Sequence, residues 1–480
     1  MDPQLAKLLT DAMSRQAQGD LGPALLYYRR IQKQYPDFID AWVLASALLH
    51  EMGRFDEALQ AAERAVELDG KNQAAAYALA SALLGLGQTD QAEAVLLGLI
   101  EAAPSHFQAL IALSGIYNQK MMPAKSMEMF NRAVGLELTD PRLLAVRGDL
   151  RAMTMDLPGA EADLRAAMRL GVDDNALRMR LSCLLLNQGR YREAWRLFRP
   201  GMILAALFDY YNTGNQRWDG GPMQGRTLMV RTHPHGFGDV IQMSRFLPQV
   251  KERSRARVLL SVYEPVLRLM RGVPGIDGLV VQEKDKPHFD AVINLMELPN
   301  LLDIESSELP PPVSFTLPDA VSMPELDRPG LKVGLVWGGN PIHGMDSQRS
   351  IGPRPLDALA DMQGAERVVW CSLQKPPDQE PPKLPSLIDM SPRMGDFMDT
   401  AQIVRRLDLV VSVDTSTLHL AGSLNVPTVA LLAHTPEWRW CLGESTPWYP
   451  TVKLVRQQTR GEWGGVVEKL KAEIADRLAG

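Results

Sequence analysis

Glycine returns every 34 residues across the first two hundred positions of this 480-residue chain, at Gly19, Gly53, Gly87 and Gly189, with Met121 and Met155 standing in the two intervening places. Five residues after each comes a small side chain: Ala24, Ala58, Ala92, Ser126, Ala160 and Ala194. Nine after each come Tyr28, Ala62, Leu96, Phe130, Leu164 and Phe198, and Pro36 and Pro104 close two of the units. A period of this length describes a helix-turn-helix unit that cannot bury its apolar face alone and so stacks on the next. The glycine ends the first helix in a left-handed turn, the small residue lets the second helix pack closely, and the bulky one fills the gap between units. A methionine in that turn would cost about 1 kcal/mol, so the turns at Met121 and Met155 are expected to differ locally.

The segment MGRFDEALQAAERAVELD, Met52 to Asp69, resembles the tetratricopeptide repeat closely. That resemblance implies a concave groove for a peptide, protein partner or other domain. A purely structural or dimerising stack is the alternative reading of the same repeats.

Composition narrows the partners. A formal net charge of -6 without a basic patch interleaved with aromatics argues against nucleic acid. No apolar run reaches the roughly 18 to 20 residues of a membrane-spanning helix. The start, MDPQLAKLLTDAMSRQ, has no basic segment feeding a hydrophobic run, so the expected compartment is the cytoplasm. Cys183, Cys371 and Cys441 lie far apart without metal-ligand spacing, and read as small core residues.

After about Arg199 the period fails and aromatic, glycine-rich text follows: Tyr210, Tyr211, Trp218, Gly220 and Gly221. Short apolar strands then alternate with helical stretches, the pattern of βαβ units and a parallel sheet. Strand candidates are Thr227 to Thr232, Val258 to Val262 and Ala291 to Leu295. Proline-rich text from Leu309 to Pro329 reads as an interdomain linker. Beyond it run Lys332 to Trp337, Glu366 to Leu373, Leu387 to Met390, Leu407 to Val413 and Thr428 to Leu432, closed by an amphipathic helix from Val466 to Leu478. The expected fold class is α + α/β: a repeat array over 1–200, a connector over 201–224, a first Rossmann-like lobe over 225–310, the linker over 311–330 and a second lobe over 331–480. Ligands in such sheets bind at the carboxyl ends of the strands, here in the cleft between lobes.

Two stretches could carry chemistry at that cleft. In RTHPHGFGDVIQ, Gly236 and Gly238 allow close approach of the backbone to a ligand, and Asp239 stands at a helix start. Its carboxylate either takes a proton from an attacking hydroxyl or serves only as a helix cap. In LDLVVSVDTSTLHLAGSLNVPTVAL, the residues Asp414, Thr415, Ser416 and Thr417 open a helix after a strand, where free N–H groups and the helix dipole suit a phosphate. A plain cap is again the alternative. Thr415 and His419 share one helical face.

Together Gly236 to Gln242 and Ser412 to Gly422 resemble the paired motifs of heptosyltransferase-like GT-B glycosyltransferases, in the bacterial subgroup where a tetratricopeptide array precedes that domain, reminiscent of O-linked N-acetylglucosamine transferases. The resemblance implies a transferase using a nucleotide-sugar, inverting and metal-independent. It also implies that Asp239 is general base and that Asp414, Thr415, Ser416 and His419 hold the donor. Arg349 is the candidate for the donor diphosphate, with His343 the local alternative, and Asp346 and Ser350 lie in the same loop. Gln374 and Lys375, and Asp399 and Thr400, match segments that border the nucleotide, or else are solvated and helix-start residues. His233, Pro234 and His235 depart from the subgroup, which more often reads Glu-Gln there. No metal or other cofactor is expected, because no Asp-x-Asp follows an apolar strand and no cluster has metal-ligand spacing. A non-catalytic repeat scaffold and a nucleotide-sugar epimerase remain as other readings.

Overall fold

The computed structural model describes residues 2–135, 140–172, 174–198, 216–232, 236–281, 284–285, 287–319, 321–341, 346–375, 380–435 and 437–479. Arg199, Tyr210, Tyr211, His233, Pro234, His235 and His343 lie outside them. The chain divides into two compact units, Met1–Gly171 and Val172–Gly480.

The first unit is five antiparallel helix pairs: α1 (Pro3–Ala17) with α2 (Leu21–Gln34), α3 (Ile39–Glu51) with α4 (Phe55–Leu68), α5 (Gln73–Gly85) with α6 (Thr89–Ala102), α7 (Phe107–Gln119) with α8 (Pro123–Val134), and α9 (Pro141–Met153) with α10 (Leu157–Arg169). The periodic positions do what their sizes require. Ala24, Ala58, Ala92, Ser126 and Ala160 are fully buried, and so are Tyr28, Leu96 and Phe130. Where the paired helices cross, a buried serine hydroxyl donates to the partner helix: Ser46 to the carbonyl of Ala58 at 2.8 Å, and Ser126 to that of Ser114 at 2.7 Å. Each hydroxyl is thereby satisfied inside an apolar seam.

The expectation of altered turns at Met121 and Met155 is overturned. Both take the left-handed conformation, with φ 62° and 65°, as do Gly53 at 72° and Gly87 at 73°. Their hydrogen bonds are also the same: Met155 N–H donates to Ala152 and Asp156 N–H to Arg151, as Gly53 donates to His50 and Arg54 to Leu49. Packing of the two helices on either side holds the turn against the preference of the residue in it.

The second unit begins with a sixth pair, α11 (Asn175–Asn187) and α12 (Tyr191–Leu197), in which Ser182 again donates to Ala194 O, at 2.9 Å. The compact division therefore falls at Gly171 and not near residue 200. Two all-parallel sheets follow. The first contains β1 (Gln216–Arg217), β2 (Thr227–Arg231), β3 (Arg257–Val262), β4 (Gly278–Val281) and β5 (Ala291–Asn294), in the order β1-β5-β2-β3-β4. The second contains β6 (Leu331–Val336), β7 (Val368–Ser372), β8 (Ile388–Asp389), β9 (Leu409–Val413), β10 (Thr428–Leu432) and β11 (Val452–Arg456), in the order β11-β10-β9-β6-β7-β8. That second order is the doubly wound one, with its direction of growth reversing between β6 and β9. The corresponding reversal in the first sheet lies between β2 and β5. Sequence reading missed β1, β4 and β11: β1 is only 2 residues long, and β11 is an edge strand whose Lys453 stays exposed.

Both faces of the second sheet are buried, one on Leu335, Trp337, Val411 and Leu470, the other on Val336, Cys371, Val410 and Ala421. The proline-rich stretch joins this packing. Met323 and Leu326 lie in the second core, and Gln402 and Arg405 donate to Pro318 O. The helix closing the chain spans Gly464–Ala479. No helix among the described residues is long and apolar enough to cross a membrane.

The repeat turns provide a test. Gly53 has open space where a Cβ would stand, so Gly53→Ala meets only the conformational cost and should destabilise the array by about 1 kcal/mol. Met155→Gly should stabilise it by up to about the same amount, less whatever packing the partly exposed Met155 side chain gives up. Urea unfolding of the full chain, followed by hydrogen exchange in α3–α4 and α9–α10, reads both.

Candidate functional site

Both motifs sit at switch points, where a doubly wound sheet leaves a crevice. β2 leads to the helix Phe237–Met243, and β9 leads through Asp414 and Thr415 to the helix Ser416–Ser423. These two helices pack directly on one another. A Cβ on Gly238 would stand 2.6 Å from His419 Cδ2 and 3.4 Å from Ser416 Cα, so the close approach that requires glycine there is made by the opposite lobe. Gly236 has no comparable crowding.

Asp239 occupies the third position of its helix, not the cap. Its carboxylate accepts from Gly236 N–H at 3.0 Å and pairs with the Arg439 guanidinium of the second lobe. Arg439 also donates from Nε to Gln242 Oε1 at 2.8 Å, pairs with Glu437, and lies 3.9 Å over the Trp438 ring. Sequence reading missed Glu437 and Arg439, which form a charged group with Asp239 across the seam. The only signal was the aromatic and charged run Glu437, Trp438, Arg439, Trp440 in the loop after β10, with no motif spacing to mark it.

The electrostatics follow from this crowding. Burial pushes the Glu437 carboxyl up to about 7, against the pull of Arg439. Burial also raises Asp414, opposed by Arg439 and Arg349. His419 is driven down to about 3 by burial and then by Arg439, so its imidazole is neutral. It is 4% exposed, stacks on Trp440 with centroids 5.2 Å apart, and its Nδ1 meets Tyr449 Oη at 2.9 Å. The structure therefore places His419 as a packed, partnered histidine in the seam between lobes.

Thr415 caps the helix Ser416–Ser423 by its backbone alone; its Oγ1 instead meets Ser412 Oγ at 3.0 Å. The Thr415 side chain makes no cap hydrogen bond to the first N–H groups of this helix. Arg349 stands nearby, after β6, with Nε donating to Asp346 Oδ1 at 3.1 Å. Asp346 also accepts from Ser350 Oγ, which in turn accepts from Gly339 N–H.

Four other residues expected to contact the donor are committed elsewhere. Gln374 is 2% exposed: Oε1 accepts from Trp337 and Gly338 N–H at 3.1 and 2.9 Å, while Nε2 donates to Gly338 and Lys375 carbonyls. Its full hydrogen-bonding capacity ties the ends of β6 and β7 together. Asp399 reaches back to Asp396 N–H and pairs with Arg268 of the first lobe at 3.0 Å, and Thr400 Oγ1 donates to Asp396 O. Lys375 donates to Met394 O. Among the described residues no group of three or more His, Cys, Asp or Glu is arranged to hold a metal ion. An open hollow of about 580 Å3, lined by Pro222, Arg253 and Leu302 among others, lies where β2 and β3 begin, away from both motifs.

The opposed shifts of Glu437 and His419 predict a pH effect. A carboxyl raised from 4.5 to about 7 on folding contributes less stability as pH rises through that window. A histidine lowered from 6.5 to about 3 contributes less as pH falls below 6.5. The two slopes oppose each other between about pH 4.5 and 6.5, so Glu437→Gln should unmask the histidine: the variant loses up to about 1.4 kcal/mol per unit of acidification while the parent changes little. Urea midpoints from pH 4.5 to 7.5 measure it.

Comparison with known proteins agrees with this architecture. Tetratricopeptide repeat models match residues 9–75 and 49–114, and a model described as glycosyltransferase family 9 (heptosyltransferase) matches residues 384–464, which include β9, the helix Ser416–Ser423 and the Glu437–Arg439 loop. Protein FlbA of Caulobacter vibrioides is 23% identical over 98% of this chain and 84% of its own length. The human protein O-mannosyl-transferase TMTC1 is 27% identical over 33% of this chain and 18% of its own. Among solved structures, the tetratricopeptide protein TTC0263 of Thermus thermophilus is 21% identical, over 38% of this chain and 99% of its own, with a TM-score of 0.34. The chain thus joins tetratricopeptide repeats to a glycosyltransferase family 9, heptosyltransferase-type domain.

Proposed function

We propose that the chain transfers a sugar from a nucleotide-sugar donor to an acceptor hydroxyl or similar nucleophile, with inversion and without a metal, and that its repeats engage a protein acceptor or partner. The observation that carries this reading is the start of the helix Ser416–Ser423, which has no side-chain cap from Thr415, lies at the switch point of the second sheet and falls inside the segment that matches the family 9 model; Arg349, on the stretch after β6, acts electrostatically on Asp414 just before it. As the bond from the anomeric carbon to the diphosphate breaks, negative charge grows on the leaving oxygen. Preorganised N–H groups of Ser416 and Thr417 and the Arg349 guanidinium meet that charge. Asp239, across the seam, takes the proton of the attacking group. The pair with Arg439 fixes the direction of its carboxylate. Gln374, Asp399 and Thr400 support this site by fixing β6, β7 and the helix Phe397–Val404, without donor contacts of their own.

The experiment is a thermal-shift panel of UDP-, GDP-, ADP- and CMP-sugars on the full chain. A fragment starting at Gly225 would lack α12, which covers Trp438 and Trp448. A ligand at a hundredfold over its Kd adds about 2.7 kcal/mol to stability. No shift with any donor would leave the repeat scaffold as the reading. With the donor found, Arg349→Met should weaken its binding by about tenfold or more. Asp239→Asn, which keeps an acceptor for Arg439, should leave donor affinity within about twofold and lower transfer by about 100-fold or more. Unchanged turnover would reduce Asp239 to a structural carboxylate. Persistence of transfer in excess EDTA checks metal independence, and release of an isomerised donor without acceptor would indicate an epimerase.

A further inference from the structure

Four polar side-chain atoms just beyond β10 and β11 are buried without a hydrogen-bond partner among the described residues: Thr435 Oγ1, Arg456 Nε, Gln457 Nε2 and Arg460 Nη1. The rest of each cluster member is anchored. Gln457, 3% exposed, accepts through Oε1 from His434 and Gly461 N–H, each at 3.1 Å. Those two donors identify the oxygen of the amide, so the unpartnered atom is its NH2. Arg456 donates from Nη1 to Ala433 O and from Nη2 to Trp440 and Cys441 carbonyls, at 3.4, 3.3 and 2.7 Å. Arg460 donates from Nη2 to Gln348 Oε1 at 3.4 Å, next to Arg349 on the loop after β6.

Three of the four unpartnered atoms can only donate, and two belong to guanidinium groups. Their complement is an oxygen-rich, negatively charged group. Buried donors are almost always satisfied, so a cluster of them at the carboxyl ends of a doubly wound sheet points to a ligand. Strands are about 4.8 Å apart, and β10 and β11 lie one and two strands beyond β9. These four side chains therefore belong to strand ends other than the one that leads to the helix start at Ser416.

We propose that Thr435, Arg456, Gln457 and Arg460 form a subsite for an anionic oxyacid group of the donor, a phosphate or a carboxylate, separate from the helix N-terminus at Ser416. This rests on the nucleotide-sugar reading for the identity of the ligand, but its own chemistry is testable without a nucleotide. The probes are inorganic pyrophosphate and D-glucuronate, titrated into the full chain by thermal shift. Gln457→Glu keeps the oxygen that accepts from His434 and Gly461 and replaces the donor with a second carboxylate oxygen. Arg460→Met removes the other donor and leaves a similar stem. At least one probe should stabilise the parent, and both variants should bind it at least tenfold more weakly. Pyrophosphate alone being sensitive assigns the subsite to phosphate, and glucuronate alone assigns it to a carboxylate on the sugar. Equal affinity in parent and variants, or no shift of the parent with either probe, overturns the proposal. A nucleotide-sugar shift that Gln457→Glu leaves unchanged sinks the subsite and keeps the transferase reading. Probe binding lost in both variants, with no nucleotide-sugar bound, does the reverse.

Discussion

One guanidinium, that of Arg439, ties the two sheets of the second unit together. It meets Asp239 and Gln242 of the first lobe while pairing with Glu437 of its own. Its side chain is 14% exposed, and in such surroundings removing one partner of an ion pair commonly costs about 3–5 kcal/mol because the other charge is left unmatched. Burial raises the carboxyls of Glu437 and Asp414 and Arg439 pulls both back down, while burial first and then Arg439 keep His419 neutral. A second buried arginine, Arg245, is held by carbonyls instead, donating to Gln242, Pro310 and Trp448, with its cation over the rings of Trp448 and Tyr449. The two arginines bracket the seam and make the relative placement of the lobes a matter of defined polar contacts.

The last helix pair belongs to this seam as well. Tyr191 stacks on Trp448 and Trp195 meets Trp438 edge to face, with centroids 5.8 and 5.5 Å apart. Arg192 spreads over Asp303, Glu305 and Glu308. Trp438 is the ring under Arg439, so α12 supports the loop that carries the central charge. The period of 34 places α11 and α12 with the repeats, while their packing places them with the α/β lobes. Covalent pattern and compact unit differ here because large aromatic surfaces bury wherever they find complementary partners.

Residues at the site were legible in proportion to how local their roles are. The helix start at Ser416 and the strand before it follow from hydrophobic pattern and cap chemistry over a dozen residues. Gly238 was legible as a close approach but not by what: the neighbour is His419, 181 residues away in the chain. Gln374, Asp399 and Thr400 read as cleft residues, yet their side chains satisfy nearby backbone groups, a choice that depends on where β6 and Asp396 come to rest. Arg439 and Glu437 carry no spacing signal at all, since their partners come from another sheet.

By itself the sequence determined the repeats, the two parallel sheets, their order along the chain and the position of the helix start after β9. Each of these rests on periodicity or on capping chemistry within a few residues. Even the left-handed turns at Met121 and Met155 sit at the right positions, though neighbouring helices impose a conformation that methionine disfavours. Only tertiary structure decided which charges meet. Asp239 finds Arg439, Asp399 finds Arg268, and Gln457 Nε2 and Arg460 Nη1 are left without an acceptor among the described residues. Coulombic and desolvation energies depend on distance through space and on surrounding dielectric, and neither is written in local sequence.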